Sequence, residues 1–229
     1  MTEKKEISLD GISVVIGMPT TRDVPAYTVR SLLGSQAICK EHGVPFGFAL
    51  VAGNAIIQWA RDEVIHQFLE SDATRLFMID SDIIWNPSDF MRLLALTTVY
   101  DVVCASYSSK TVEGNIVILH DEEKGLKQDD MGMIEIFGAG LGFTVVKREV
   151  IEALVEKHGT VYDEMSAKDI PSVFRLGRTA DGKRVGEDIA FFDDIRELGY
   201  KVMLDPSINL QHFGAKCYEA SVMNAISNL

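Results

Sequence analysis

From residue 12 to residue 105 the chain alternates four short apolar runs with three stretches of helical periodicity, and this alternation constrains the fold more than any other feature. Residues 12–18 form a β-branched run that closes on Pro19, and residues 24–38 place Val24, Tyr27, Leu32, Leu33, Ala37 and Ile38 on one helical face. Residues 46–52 read as a second strand. Asn54 is placed to cap a helix whose face carries Ile57, Ala60, Val64, Ile65, Phe68 and Leu69. Residues 76–79 form a third strand, Ser88 can cap a helix with Phe90, Leu93, Leu94 and Val99, and residues 101–105 begin a fourth strand. Strands separated by helices require right-handed crossovers, which predicts an α/β fold with a mostly parallel central sheet flanked by helices.

The second half changes character. Residues 116–119 and 133–137 flank the polar loop at 121–125 with no room for a crossover helix, so a small antiparallel hairpin is expected there. Residues 143–146 continue as strand. A short helix over 149–156 stops near Gly159, and a helix over 188–198 ends at Gly199 before a strand at 201–204. The stretch 160–186 reads as a long mobile loop, and residues 216–229, with Val222, Ala225 and Ile226, as a short helix.

Of the 229 residues, 47% are hydrophobic and 24% charged, which fits a globular chain with a real core and excludes collagenous and disordered classes. The 34 acidic and 22 basic side chains leave a net charge of −12, which disfavours unaided binding to nucleic acid. One stretch departs from this: residues 166–186 hold Lys168, Arg175, Arg178, Lys183 and Arg184 against Asp169 and Asp181. No apolar leader or membrane-length apolar run is present, and Cys39, Cys104 and Cys217 are too widely spaced for a cysteine metal site; a cytoplasmic protein with reduced thiols is the expectation.

The strongest local chemistry is Asp80-Ser81-Asp82, where an apolar strand delivers two carboxylates at its C-terminal end, the edge at which open α/β sheets bind ligands. Side chains two apart on an extended chain share a side, so both acids can converge on one hard divalent cation. The bland alternative is a pair of solvated loop acids starting a turn towards Asn86-Pro87. The second feature is Gly186-Glu187-Asp188 opening a helix, with His212-Phe213-Gly214 downstream; an acid there is also ordinary helix capping, and a lone histidine is ordinarily satisfied by a neighbour.

In this order the motifs resemble the GT-A class of nucleotide-sugar glycosyltransferases, family-2-like and especially the small viral or phage members. The resemblance spans nearly the whole chain. It rests on the loop Pro19-Thr20-Thr21-Arg22 after the first strand, the D-x-D at Asp80 and Asp82, the run from Gly138 through Gly140 and Gly142 to Phe143, the pair Glu187-Asp188 before a helix, and a late His212. It implies a single GT-A domain over 1–229, with residues 1–110 as the nucleotide-sugar-binding half and 111–229 as the acceptor-binding half. It further implies that Asp82 and His212 coordinate Mn²⁺ or Mg²⁺, with Asp80 reaching the metal through water or contacting the ribose. Asp188 is implied as the base that deprotonates the acceptor hydroxyl, with Glu187 shaping the acceptor side.

Donor contacts are expected from Pro19, Thr20, Thr21, Arg22, Asn54, Ser81 and Arg61, the last of which is otherwise an exposed helix charge beside Asp62. Trp85, Tyr107, Lys110, Gly140 and Arg178 are candidates for the sugar and acceptor pocket. Trp85 has core packing as its alternative, the glycines a bend between strands, and the basic stretch around Arg178 a solvated loop rather than a lid. The implied activity is transfer from a nucleotide diphosphate sugar, with UDP-sugars as the leading donors, to an acceptor hydroxyl. A glycan or lipid-linked saccharide is the default acceptor, and a modified DNA base is the other. The competing functions are a Mg²⁺-dependent phosphohydrolase with Asp80 as nucleophile and Asp82 as acid, and a non-catalytic nucleotide-sugar-binding module. A dinucleotide-binding enzyme is excluded, because no G-x-G-x-x-G stands between the first strand and helix.

Overall fold

The computed structural model describes residues 8–110, 115–178, 182–214, 217–219, 221 and 223. The first half follows the expected alternation: β1 (Val14–Thr20), α1 (Ala26–Glu41), β2 (Phe46–Ala52), α2 (Ile57–Leu69), β3 (Arg75–Ile79), the short β4 (Ile83–Ile84), α3 (Pro87–Leu96) and β5 (Val102–Cys104). The second half is more broken. It runs β6 (Ile118–Leu119), β7 (Ile134–Ile136), β8 (Gly138–Ala139), β9 (Phe143–Lys147), α4 (Arg148–His158), β10 (Thr160–Asp163), β11 (Lys168–Pro171), β12 (Gly177–Arg178), β13 (Arg184–Val185), α5 (Glu187–Glu197), β14 (Val202–Leu204), β15 (Gln211–Phe213) and β16 (Cys217–Glu219).

Seven strands make the central sheet in the order β2-β1-β3-β9-β5-β14-β7. The pairings β1–β2, β1–β3 and β5–β14 are parallel, whereas β9 runs antiparallel to both β3 and β5, and β7 antiparallel to β14. Five strands therefore point one way and two the other. Alternate strand residues feed two separate layers. Val15, Leu76, Met78 and Val102 pack with Val64, Phe68, Leu154 and Phe191 from α2, α4 and α5. Val14, Ile16, Phe77 and Val103 pack with Cys39, Phe90 and Leu94 from α1 and α3. The two-residue period of the strands thus buries both faces, as a helix-covered sheet requires.

Several local expectations shift. The oxygen Oδ1 of Asn54 accepts the N–H of Ile56 at 3.0 Å, so it closes a turn before α2 and is not the cap of that helix. Ser88 lies inside α3, which starts with Pro87 at its first position, where the missing N–H costs no hydrogen bond. Pro19 does not end β1, because β3 pairs only as far as Gly17 and leaves the strand single-sided there. The expected hairpin partner is displaced: β6 pairs with β8, and β7 joins the edge of the main sheet. The stretch 160–186 holds two antiparallel ribbons, β10–β11 and β12–β13, in place of an irregular loop. Of the helix expected over 216–229, Cys217–Glu219 instead form β16 against β15, while Val222, Ala225 and Ile226 lie outside the described residues, as does Asp181 of the basic stretch.

Candidate active site

The C-terminal ends of β1 and β3, the loop after β5 and the start of α5 meet at one edge of the sheet. A cleft of about 290 Å³ opens there, lined by Pro19, Thr20, Thr21, Asn54, Ala55, Ile57, Ala60, Arg61, Asp80, Ser81, Asp82 and His212. Larger hollows lie elsewhere, one of about 730 Å³ around Gly11 and Gly43 at the opposite ends of the strands.

Asp80 follows β3, and a turn closed by the N–H of Ile83 on its carbonyl at 3.1 Å carries the chain round to Asp82. Both acids thus reach one cleft through a turn and not through strand alternation. His212 arrives from far along the chain because β15 pairs antiparallel with β4, His212 opposite Ile83, and the N–H of Phe213 donates to the carbonyl of Asp82 at 2.7 Å. Its Nε2 stands 3.3 Å from Asp82 Oδ1. Its Nδ1 is 2.8 Å from the carbonyl of Ser108, which can only accept, so Nδ1 carries the proton. Lys110 pairs with Asp82 Oδ2. Burial pushes the Asp82 carboxyl up, but the His212 and Lys110 contacts outweigh it and hold the group below its ordinary range.

Arg61 is the residue whose environment departs furthest from an exposed helix charge. It is buried, and it donates to Asp80 Oδ1 at 3.0 Å and to Glu187 Oε1 at 2.9 Å, tying the D-x-D to the Glu187-Asp188 pair. Burial alone would lower its pKa, but Asp80 and Glu187 more than reverse this, so the guanidinium stays charged. The second oxygen of Asp80 accepts the Tyr107 hydroxyl at 3.2 Å, and that hydroxyl accepts the N–H of Gly142 at 3.1 Å. A Cβ at Gly142 would stand 2.4 Å from Asp80 Oδ2, and one at Gly140 would stand 2.6 Å from the Tyr107 oxygen. These glycines therefore make room for the site's own side chains. Asp188 accepts the N–H of Ile189 at 2.8 Å; burial raises its carboxyl above the ordinary value despite that bond.

Trp85 does not belong to the cleft. It is buried, donates from Nε1 to Ser35 Oγ at 2.8 Å and packs against Phe143. Arg22 is exposed beyond β1, and Arg178 is exposed on the β12–β13 ribbon; neither lines the cleft. Ala55, Ile57 and Ala60 do line it; Ala60 is buried in the core as its helical position suggests, whereas Ile57, expected on the same face, is exposed.

No family model matches the chain, and no curated protein matches it. Among solved structures the chain is similar to A197 from STIV, with 23% identity and a TM-score of 0.57 over 89% of this chain and 86% of that one. It is similar also to GalNAc-T7, solved with UDP, GalNAc and Mn²⁺, with 12% identity and a TM-score of 0.54; the match covers 90% of this chain and 44% of the other. The fold is GT-A. Within this GT-A frame, the cleft at the ends of β1 and β3 holds the acidic pair and the histidine.

The fit of a divalent cation to the GT-A cleft follows from its donors. Among the described residues no three His, Cys, Asp or Glu side chains are gathered closely enough to hold a metal together. Asp82 and His212 present only a pair, a carboxylate oxygen and an imidazole nitrogen 3.3 Å apart; with Nδ1–H anchored, Nε2 would be the nitrogen offered to a cation once it has released the proton it shares with Asp82. One carboxylate and one imidazole would fit a divalent cation, Mn²⁺ better than the oxygen-preferring Mg²⁺.

Proposed function

We propose that the chain transfers a sugar from a nucleotide diphosphate sugar, UDP-sugars being the leading donors, to an acceptor hydroxyl. The observation that carries this reading is the joining of the D-x-D to Glu187-Asp188 through the buried Arg61, which lines the cleft and holds Glu187 beside it, although neither Glu187 nor Asp188 lines the cleft itself. GalNAc-T7, a protein of similar fold, has been solved with UDP, GalNAc and Mn²⁺. In this reading Asp82 and His212 hold the cation, Asp80 stands beside it, and residues 1–110 carry the donor and 111–229 the acceptor. The cation neutralises charge that develops on the diphosphate leaving group, a need made acute by a chain of net charge −12. Pro19, Thr20, Thr21, Asn54 and Ser81 contact the base and ribose. Asp188 takes the acceptor proton, and its raised pKa brings it closer to working pH than a solvated aspartate. A glycan or lipid-linked saccharide is the acceptor.

The phosphohydrolase reading requires a free Asp80 nucleophile. Here Oδ1 is held by Arg61 at 3.0 Å and Oδ2 by Tyr107 at 3.2 Å, which disfavours in-line attack by either oxygen.

The test is a thermal-shift panel of nucleotide sugars with and without Mn²⁺, followed by UDP release from wild type and Asp188→Asn. UDP-sugars are expected to raise the melting temperature only with the metal, because a ligand that binds the folded state alone stabilises it. Asp188→Asn is expected to keep that shift and lose UDP release by about 10²-fold or more. Absence of any metal-dependent shift, or phosphate release through an aspartyl-phosphate, would overturn the reading.

A further inference from the structure

Asp80, just after β3, and His212, on β15, line the same cleft from segments remote in sequence, and one side chain touches both. The Tyr107 hydroxyl donates to Asp80 Oδ2 at 3.2 Å, and its ring meets the His212 imidazole edge-on with centroids 5.0 Å apart. The next residue, Ser108, takes the His212 Nδ1–H on its carbonyl at 2.8 Å. Tyr107 is itself held at the hydroxyl by the Gly142 N–H, in a space that a Cβ at Gly140 or Gly142 would fill to within 2.6 or 2.7 Å of its oxygen.

We propose that Tyr107 is a positioning residue for the cation site, setting the spacing of Asp80 and His212 through its hydroxyl and its ring. The inference rests on the cation-dependent reading of the cleft given above, and it assigns Tyr107 a place behind the ligands and not in the sugar pocket. Two observations support it. Both oxygens of Asp80 are engaged, one by the Arg61 guanidinium and one by the phenol, so that the carboxylate cannot turn without losing one of them. The Ser108 carbonyl and the Tyr107 ring together leave the imidazole one orientation, with Nε2 towards Asp82. Groups that orient metal ligands from behind commonly control metal affinity by about 10–100-fold.

The experiment measures Mn²⁺ binding to the donor-free protein by isothermal titration, for wild type, Tyr107→Phe and Tyr107→Leu, together with the melting temperature of each metal-free protein. Tyr107→Phe keeps the ring and loses the hydroxyl, and it is expected to bind Mn²⁺ about 10-fold more weakly. Tyr107→Leu loses both contacts, and the loss is expected to approach about 100-fold. A tyrosine that merely fills space would lower the metal-free melting temperature of the variants and leave the Mn²⁺ affinity of folded Tyr107→Phe at the wild-type value, which overturns the proposal. Should Tyr107→Leu fail to fold, Tyr107→Phe decides alone. Wild type that binds Mn²⁺ alongside a Tyr107→Phe protein that binds it equally well removes only the role of Tyr107; wild type that binds none, either alone or with UDP present, removes the cation-dependent reading and this inference with it.

Discussion

At the scale of single residues, the site is organised by a positive charge that the helical pattern presents as unremarkable. Arg61 sits next to Asp62 on α2, and nothing in the local sequence separates a buried cation from a solvated one. Burial of both its partners decides the matter: Glu187 and Asp80 are mostly shielded, and a guanidinium forks between them at 2.9 and 3.0 Å. Removing one partner of such a network leaves the others as uncompensated charges, which is costlier than the pair is stabilising. Arg61→Met is therefore expected to destabilise the protein by about 3 kcal/mol in urea unfolding. Combining it with Glu187→Gln should recover part of that loss, since one carboxylate no longer needs a partner. A double variant no more stable than Arg61→Met would show that the charge pairing is not what Arg61 contributes. Trp85 illustrates the opposite confusion. An indole just after a D-x-D suggests stacking on a sugar, yet its N–H finds Ser35 inside the core and its ring finds Phe143.

At the scale of elements, α2 is fastened to the segment that leads into the β12–β13 ribbon by a single carboxylate. Asp62 Oδ1 accepts the N–H groups of Val173 and Phe174 at 2.9 and 3.0 Å, and Phe174 stacks on Phe191 of α5 with centroids 4.8 Å apart. Burial pushes the Asp62 carboxyl up to about 7, the two N–H donors opposing only part of that shift. The folded state therefore holds a proton that the unfolded chain releases near pH 4, and stability contributed at this position falls as pH rises from about 4 to about 7. Asp62→Asn keeps an acceptor oxygen and removes the titration. The difference in unfolding free energy between Asp62→Asn and wild type is expected to move in favour of the variant from pH 5 to pH 7, at a rate of at most about 1.4 kcal/mol per pH unit. A difference independent of pH would mean that Asp62 is ionised throughout.

Across the whole molecule, acidity governs what can approach. Of the basic stretch that stands out in the sequence, Arg175 is paired with buried Asp194 at 3.0 Å and Lys168 with Glu70 at 3.2 Å, so much of its charge is neutralised within the fold. A protein of net charge −12 with those cations engaged is expected to give no mobility shift with duplex DNA at physiological salt. Retardation at micromolar protein would reopen a modified DNA base as acceptor. No described helix is long and apolar enough to cross a membrane. Although Tyr27 and Leu33 of the face expected for α1 are exposed and Thr28, Ser31, Ser35 and Cys39 are buried instead, the alternation of strands and helices up to residue 105 was legible from the sequence because it depends on periodicity, which is local. The D-x-D at the end of β3 was legible for the same reason. The insertion of β9 between β3 and β5 was not, since antiparallel and parallel partners satisfy the same hydrogen-bonding groups and the choice depends on where the intervening chain can go. The pairing of β15 with β4 that carries His212 to Asp82, the burial of Arg61, and the use of Gly140 and Gly142 to admit Tyr107 and Asp80 are contacts between segments remote in sequence. Amino-acid order determined the strand–helix alternation of the first half and singled out the acids and the histidine as candidates; only the packed fold decided which of them meet, because distance through space is fixed by all the elements at once and by no one of them alone.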